Sequence, residues 1–560
     1  MSSMTPLPVL TAEELPDAYV ILTDSDLERL EPYSQRKNYK VDEVLFSEGQ
    51  IRAPVHVLIK GKMGFYQHIG HNNEHKVAEI TPGMFTGDVS MMSGRATVGE
   101  GRCLEDCEVL EIPFEEVKKL LVEDSHISDI LVSAFIKRRA ALSSKGLSSI
   151  QLLGSRFDKD TSRIREFLTR NSVPYNYIDL EENSDHQELL EAIQVNHDET
   201  PVMIYKGSEI LRNPDNDLIA KELGVSCVIE GEMLYDVAVI GSGPAGLAAS
   251  VNAASDGLSV INIDTQGPGG QAGSSSKIEN YLGFPMGISG QQLADSAAAQ
   301  AQKFGVHLAA PQIATGLSKN GDNYNLTLKS GREINARSVV LAIGAKYHRL
   351  PIDNIAQFEG SNVHFNATNM EAQLCQNEDV AIVGAGNSAG QAAVFLSESS
   401  RHVYVIVRKD NLAYKMSNYL IRRIEEKPNI TLLTNCEITT MEGDTGDLQK
   451  VTIRNNLSGS EDIKNMKHVF LFLGAKPLTD WLQDSLSLDE KGFIKTGAHL
   501  QPLDLVQAGW SLNRLPDVFE TVWPRVYAVG DVRSQSSKRV AAAVGEGSMT
   551  IGFAYRALNE

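Results

Sequence analysis

The chain has 560 residues, with 52 Lys and Arg against 72 Asp and Glu, and a formal net charge of −20 at pH 7. This acidic balance argues against a broad surface for nucleic acid or for an anionic membrane. Its five cysteines are too few for a disulfide framework and fit a reducing compartment, and no window approaches the ~20 apolar residues of a membrane helix. We therefore expect a cytoplasmic protein of roughly three to five domains that binds neither nucleic acid nor membrane.

Residues 25–145 read as short strands separated by turns, followed by a helical segment. The strands include YKVDEVLFSEGQ, VHVLIKGKMGFYQ and CEVLEIP, and helical spacing begins at FEEVKKLLVEDSH. With the segment GMFTGDVSMMSGRATV, this β-roll plus helix resembles the cyclic-nucleotide-binding domain. The resemblance implies a cyclic nucleotide held by Gly87, Asp88 and Arg95, although Asp88 replaces a longer Glu and the interval to Arg95 is short. The alternative is a fold retained for packing or dimerisation, with its ligand pocket lost.

Residues 148–228 predict the order β-α-β-α-β-β-α. This order resembles the thioredoxin/glutaredoxin fold, with Thr200-Pro201 where that family keeps a cis-proline. The family's Cys-x-x-Cys would follow the first strand, in SRFDKDT at 155–161, which contains no cysteine. Because disulfide exchange needs a thiolate, we expect this thioredoxin-like α/β domain to be a redox-inactive spacer or docking surface.

A glycine-rich turn opens the block 232–348. The segment YDVAVIGSGPAGLAASVNAASDGLSVINID gives a buried strand, a tight turn, a helix and a second strand ending in an acid. That context is typical of a Rossmann-like dinucleotide fold, in which the glycines let the backbone approach a pyrophosphate and the acid accepts the ribose hydroxyls. The residues concerned are Gly241, Gly243, Pro244, Ala245, Gly246 and Asp264.

A second glycine loop follows in the block 349–474, at VAIVGAGNSAGQAAVFL. The next strand, HVYVIVRKD, ends in Arg408 and Lys409 rather than in an acid. Cations at this position favour a 2′-phosphate, and hence NADPH over NADH, while the alternative is an ordinary solvated strand end. The loop residues expected to border this nucleotide are Gly384, Gly386, Asn387, Ser388 and Ala389.

The two loops predict two nested Rossmann-like domains, one for FAD (232–348 and 475–560) and one for NAD(P)H (349–474). The motifs GSGPAG, GGQ, IENYLGFP, GAGNSA and GD occur in the order found in the thioredoxin-reductase group of flavoproteins, and residues 232–560 resemble that group. The resemblance implies a cytoplasmic homodimer that uses FAD and NADPH. It also implies flavin contacts at Gly270, Gln271, Asn280, Gly344, Gly530, Asp531, Val540 and Ala541.

One element of that resemblance is missing. Thioredoxin reductases carry Cys-Ala-Thr-Cys-Asp before the second glycine loop, and the matching residues here are Asn366, Ala367, Thr368, Asn369 and Met370. Asparagine cannot form the thiolate or the mixed disulfide of that chemistry. His364 and Glu371 flank the altered pair and are candidate proton donors, with no catalytic residue identified for certain and no metal site expected.

We therefore interpret the chain as an NAD(P)H-dependent FAD oxidoreductase in which reduced flavin passes electrons directly to an acceptor. A quinone, a dye, oxygen, a ferredoxin-like protein or a partner's disulfide would fit. One alternative is a thioredoxin-disulfide reductase that uses another cysteine, such as Cys375. The other is a non-catalytic sensor of nucleotides or redox state.

Overall fold

The structure of the protein is a computed structural model that describes most of the chain. The described residues are 9–68, 74–145, 147–156, 158–181, 190, 193–206, 208–225, 233–273, 275, 278, 280–355, 358, 362–365, 367–444 and 447–559. Among the helices of these residues, none has both the length and the hydropathy to cross a bilayer.

The N-terminal domain is a β-roll closed by helices. Its helices are α1 (Asp24–Leu30), the short 3-10 turn Glu31–Tyr33, α2 (Ser90–Ser93), α3 (Phe114–Glu123) and α4 (Ser125–Ser144). Its strands are β1 (Gln35–Tyr39), β2 (Val44–Phe46), β3 (Val55–Lys60), β4 (Met63–His68), β5 (Glu74–Ile80), β6 (Glu100–Cys103) and β7 (Cys107–Ile112). Antiparallel sheets of order β1-β7-β3 and β2-β6-β4-β5 enclose an apolar core, on which Phe135 of α4 packs edge-on against Phe85.

The middle domain contains β8 (Gln151–Gly154), α5 (Lys159–Arg170), β9 (Asn176–Asp179), the 3-10 turn His197–Glu199, β10 (Val202–Tyr205), β11 (Glu209–Arg212) and α6 (Asn216–Glu222). The sheet order is β11-β10-β8-β9, with β8 and β9 parallel and β10 antiparallel to β8. The Thr200–Pro201 peptide bond is cis, as the sequence predicts. Most of the second helix expected in this domain lies outside the described residues.

The C-terminal block begins with β12 (Leu234–Ile240), α7 (Pro244–Ser255), β13 (Val260–Ile263), α8 (Gly270–Gly273), α9 (Gly290–Lys303), β14 (His307–Ala309), β15 (Ala314–Asn320), β16 (Asn323–Leu328) and β17 (Glu333–Leu341). The strand order is β14-β13-β12-β17-β16-β15, parallel from β14 through β17. The central strands are apolar almost continuously because helices cover the sheet.

The chain then builds a separate parallel sheet. Its elements are β18 (Ala345–Tyr347), β19 (Val363–His364), α10 (Asn369–Leu374), β20 (Asp379–Val383), α11 (Asn387–Leu396), β21 (His402–Val407), α12 (Asn418–Glu425), β22 (Ile430–Thr434), β23 (Cys436–Asp444), β24 (Asp447–Asn455), β25 (Glu461–Asn465), β26 (His468–Leu471) and β27 (Ala475–Pro477). The parallel order is β19-β26-β20-β21-β22, while β23-β24-β25 form an antiparallel sheet beside it. Antiparallel pairing of β18 with β27 joins the outgoing and returning segments.

The returning chain completes the earlier sheet. It contains the 3-10 turns Asp480–Leu482, Gly497–His499 and Gly530–Val532, with α13 (Pro502–Ala508), β28 (Val526–Ala528) and α14 (Val540–Asn559). Strand β28 pairs parallel with β17, and α14 packs along α7. The carboxyl ends of β12, β17 and β28 therefore meet at one edge of the sheet, where ligands of such folds bind.

Candidate functional site

The first glycine loop joins β12 to α7 and requires glycine at two positions. Gly241 has φ +104°, and a Cβ there would lie 2.3 Å from the carbonyl oxygen of Ala342. A Cβ on Gly246 would lie 1.8 Å from the carbonyl oxygen of Gly241. Gly243, the N-cap of α7, is different, because the nearest atom to its added Cβ is the Cα of Gly270, at 3.9 Å. Space therefore remains at a helix N-terminus, where free N–H groups and the dipole favour a phosphate.

Asp264 follows β13 and is held beside this loop. Its Oδ2 accepts a hydrogen bond from the backbone N–H of Ser242 at 2.7 Å. Its Oδ1 accepts from the N–H groups of Gln266 and Gly267 at 2.9 and 3.0 Å. These donors fix the carboxylate while Oδ2, which accepts one bond, keeps a lone pair, so Asp264 suits a ribose hydroxyl of a dinucleotide.

The turn before α8 lies against the same loop. Gly269 N–H donates to the carbonyl oxygen of Ser242 at 2.7 Å. The side-chain amide of Gln271 donates to the carbonyl oxygen of Ala345. Gly344, with φ +65°, borders open space on the same side, whereas the side chain of Asn280 is exposed. The structure thus brings Gly270, Gln271 and Gly344 to the first loop and leaves Asn280 at the surface.

Asp531 lies at the end of β28, in the turn that follows this strand. Burial raises the pKa of its carboxyl, and the carboxylate makes no hydrogen bond to another described residue. A half-buried acceptor without a partner fits a polyhydroxyl chain of a bound cofactor. Val540 and Ala541 begin α14, so their backbone N–H groups have no acceptor within the helix.

Glu546 on α14 holds this turn in place, and sequence reasoning missed it. Its carboxylate accepts the N–H of Gly530 at 2.7 Å and pairs with Arg533 at 2.5 Å. The two side chains are only 11% and 12% exposed. The signal was within the motif VAAAVGEG, whose acid follows the expected backbone contact by five residues.

The second glycine loop repeats the arrangement between β20 and α11. Gly384 has φ +152°, and a Cβ there would lie 2.5 Å from the carbonyl oxygen of Phe472. Gly386 caps α11, and an added Cβ would meet nothing within 4 Å. Asn387 accepts the backbone N–H of Ser417 at 2.8 Å, while Ser388 and Ala389 continue the first turn of the helix. A phosphate again has space and donors at a helix N-terminus.

Arg408 and Lys409 follow directly after β21, the strand next to β20 in the sheet. Both side chains are exposed, and neither forms an ion pair with another described residue. The adjacent strand end is where the ribose of a dinucleotide bound at the second loop would lie. The two cations are thus placed to meet a phosphate on that ribose.

The structure describes one of the two positions at which the family's cysteines are replaced by asparagine. Asn366 lies outside the described residues, while Asn369 begins α10. The N–H of Thr368 donates to Glu371 at 2.8 Å, and its hydroxyl donates to the same carboxylate. Burial raises the pKa of Glu371, and the nearby carboxylate of Glu166 raises it further. Glu371 therefore holds a proton more readily than an exposed glutamate, in line with its role as a candidate donor.

His364, the other candidate proton donor, is buried. It is 6% exposed, and its ring stacks on His468 at 5.4 Å and lies 4.8 Å from the ring of Phe470. Burial lowers the pKa of His364 well below its ordinary value, and His468 lowers it further. The ring is neutral at pH 7 and packs in the sheet, so its position argues against proton donation.

The described cysteines are all buried. Cys375 is fully buried, and burial together with Glu371 raises the pKa of its thiol. Cys103 and Cys107 lie at the ends of β6 and β7 in the N-terminal roll, and burial raises the pKa of Cys103 to about 12. Cys436 is buried as well, whereas Cys227 lies outside the described residues. None of the described thiols has the exposure of a reactive thiolate, and the raised pKa of Cys375 and Cys103 keeps these two protonated.

The residues expected to hold a cyclic nucleotide have other partners. Asp88 pairs with Arg139 at 2.7 Å, and Arg95 donates to the backbone carbonyl of Asn171 in the middle domain at 3.2 Å. The cavity inside the roll, bordered by Gly87, measures about 50 Å³. Pockets for small molecules usually measure about 300–1,000 Å³, so the roll interior is too small for a nucleotide in this conformation.

Known protein families match the part of the chain that contains both glycine loops. Residues 235–547 match the family model for pyridine nucleotide-disulphide oxidoreductases, and residues 36–124 match the cyclic nucleotide-binding domain. The chain is 27% identical to thioredoxin reductase of Bacillus subtilis over 318 residues, which are 57% of this chain and 93% of the relative. Thioredoxin reductase of Lactococcus lactis (FR conformation) superposes with a TM-score of 0.52 at 26% identity, over 58% of this chain and 99% of that one. The enzyme of T. acidophilum gives 0.51 at 26% identity, over 58% and 98%.

Proposed function

The chain belongs to the pyridine nucleotide-disulphide oxidoreductase family, and on that premise we propose that it is an NAD(P)H-dependent FAD oxidoreductase without a dithiol relay. Reduced nicotinamide is the electron donor, and the reduced flavin passes electrons directly to an external acceptor. A quinone, a dye, oxygen, a ferredoxin-like protein or a disulfide on a partner fits this role. The N-terminal cyclic nucleotide-binding domain and the middle domain accompany this core without taking part in electron transfer.

The first glycine loop is the proposed FAD site. The N-terminus of α7 would bind the pyrophosphate, Asp264 the ribose, and Asp531 the ribityl chain. FAD supplies the hydride chemistry, and the protein supplies orientation and electrostatics. Gln271, held by its bond to Ala345, would border the isoalloxazine ring.

The second glycine loop is the proposed nicotinamide nucleotide site. The open N-terminus of α11 suits a pyrophosphate, and Arg408 and Lys409 suit a 2′-phosphate, which supports NADPH over NADH. A dinucleotide bound on each loop is what hydride transfer between nicotinamide and flavin requires.

The main support for direct electron transfer from the flavin is the absence of a reactive cysteine beside these loops. The sequence has asparagine at both positions of the family's cysteine pair. The nearest cysteine in sequence, Cys375, is fully buried, and its pKa is raised by burial. A thiol that stays protonated and out of reach cannot attack a disulfide. This supports direct transfer from flavin over a substitute disulfide relay.

Stopped-flow mixing with NADPH under anaerobic conditions tests the proposal. We expect the flavin absorbance near 450 nm to bleach in a single phase, because no dithiol accepts electrons from the flavin. Subsequent mixing with a quinone, a dye or oxygen should restore the colour, and a screen of acceptors by turnover ranks them. Protein that binds no FAD, or flavin that NADPH does not bleach, would contradict the proposal and favour a sensor.

A homodimer is the expected assembly, and light scattering of the FAD-loaded chain measures it directly. A mass of about twice that of one chain would support this expectation. A mass equal to that of one chain would contradict it without touching the proposed reaction.

A further inference from the structure

A large cavity lies where the N-terminal domain, the middle domain and the first dinucleotide fold meet. Its volume is about 760 Å³, and its walls include Arg95 and Arg139, Asn171 and Lys206, and Asp295 on α9. Pockets for small molecules usually measure about 300–1,000 Å³, so this interdomain cavity has the size for a mononucleotide, whereas the roll interior does not.

Ser172, in the turn after α5, forms hydrogen bonds to residues of both neighbouring domains. Arg139 donates to its backbone carbonyl at 3.1 Å, and the same guanidinium pairs with Asp88 at 2.7 Å. The Ser172 hydroxyl donates to Asp295 at 2.8 Å. The wall thus combines residues of the N-terminal domain, the middle domain and the first dinucleotide fold. The bonds of Arg139 to Ser172 and Asp88 hold its guanidinium in place.

Asn171 extends this wall toward the proposed FAD site. Its carbonyl accepts from Arg95 at 3.2 Å, and its amide donates to the carbonyl of Gln266 at 2.7 Å. Gln266 N–H in turn bonds Asp264 at 2.9 Å. A ligand in the cavity would therefore contact residues that connect Arg95 of the roll to the adenosine end of the proposed FAD site.

The acids at the cavity already have partners. Carboxylates in its lining are Glu48, Glu222 and Asp295. Glu48 contacts His68 at 3.0 Å, Glu222 accepts the hydroxyl of Tyr205 at 2.8 Å, and Asp295 accepts that of Ser172 at 2.8 Å. Against these three carboxylates, the same lining holds four cationic side chains, those of Arg95, Arg139, Arg170 and Lys206.

Donors, by contrast, remain available. Lys206 is exposed at the cavity and forms no ion pair with another described residue. The Nε of Arg139 is buried without a hydrogen-bond partner within the described part of the chain. A buried guanidinium nitrogen without an acceptor is costly. The side chain of Arg139 also lines the cavity and adds a positive charge to its wall.

We propose that the interdomain cavity binds a small phosphorylated molecule of mononucleotide size, with its phosphate on Lys206 and Arg139. This site lies outside the roll interior, and its ligand contacts each of the domains that meet there. The binding does not depend on the proposed reaction, so its failure and that of the proposed function are separate outcomes.

Titration calorimetry of the full-length, FAD-loaded chain tests the site. The probes are AMP, cAMP and inorganic phosphate, with adenosine as the uncharged comparison. The variants are Lys206→Glu, which reverses a charge in the cavity, and Ser296→Trp, which fills it from an exposed position on α9. Lys221→Glu, an exposed lysine of the same domain, is the matched control.

We expect AMP or cAMP to bind at least about tenfold more tightly than adenosine, because adenosine lacks the phosphate that Lys206 and Arg139 would bind. Lys206→Glu should weaken binding by a similar factor, Ser296→Trp should abolish it, and Lys221→Glu should leave it unchanged. The diagnostic heat is the part that Lys206→Glu removes, since the dinucleotide loops also bind adenine nucleotides. Heat that neither cavity variant alters would place the ligand elsewhere and overturn the proposal, as would the absence of heat with every phosphate.

Discussion

Replacing Glu546 with alanine should loosen the turn that carries Asp531. The Glu546 carboxylate accepts the N–H of Gly530 at 2.7 Å and pairs with Arg533 at 2.5 Å. Its removal leaves a guanidinium that is 12% exposed without its anion, and a backbone N–H without its acceptor. Gly530 has φ +70°, a conformation open to glycine but not required of it, so the shape of the turn depends on the contacts that hold it.

The expected loss of stability follows from these contacts. Removing one partner of a buried ion pair costs about 3–5 kcal/mol, and the slight exposure of this pair argues for the lower end, about 3 kcal/mol. At about 2 °C per kcal/mol for a large domain, the melting temperature of the C-terminal block should fall by ~6 °C. Glu546→Gln keeps the volume and an acceptor for Gly530 but loses the charge, so we expect roughly half of this effect.

Thermal unfolding followed by flavin fluorescence measures the shift, and equilibrium dialysis measures FAD affinity. Glu546→Ala should also weaken FAD binding by about tenfold, since the position of Asp531 depends on this turn. Glu490→Ala, at an exposed acid of the same block, is the control. If Glu546→Ala melts and binds FAD as Glu490→Ala does, the carboxylate does not hold the site and the reasoning is wrong.

Further predictions concern the nucleotide, the thiol and pH. Replacing Arg408 and Lys409 with alanine should raise KM for NADPH by about tenfold and leave KM for NADH nearly unchanged, and an equal rise for both would argue against a phosphate contact. Cys375→Ser should leave flavin reduction and turnover within about twofold, because a buried protonated thiol takes no part; loss of turnover would instead support a disulfide relay. Burial lowers the pKa of His468 to about 4, so its contribution to stability is complete above the ordinary value of 6.5 and is lost as pH falls toward 4. In denaturant melts, His468→Asn should flatten the pH dependence between 6.5 and 4 and the exposed control His348→Gln should not, and equal slopes would refute this assignment.

The residues that could be predicted from the sequence are those whose role depends only on the local geometry of the chain. The requirement for glycine at 241 and 246 follows from a strand, a turn and a helix that are consecutive in sequence. The absence of cysteine at 366 and 369 is likewise a fact of the sequence. The partner of Arg95 and the burial of His364 could not be predicted in this way, because each depends on segments far away in the chain.

The sequence by itself determined that strand–turn–helix loops of dinucleotide type recur in this chain and that the thiol pair beside them is absent. Tertiary structure decided which partners the polar side chains meet. Arg95 bonds a carbonyl 76 residues away, and Ser172 bonds an acid 123 residues away. Such contacts depend on how whole domains pack, and no local periodicity encodes them. The interdomain cavity exists for the same reason, since its walls come from segments that only the folded chain brings together.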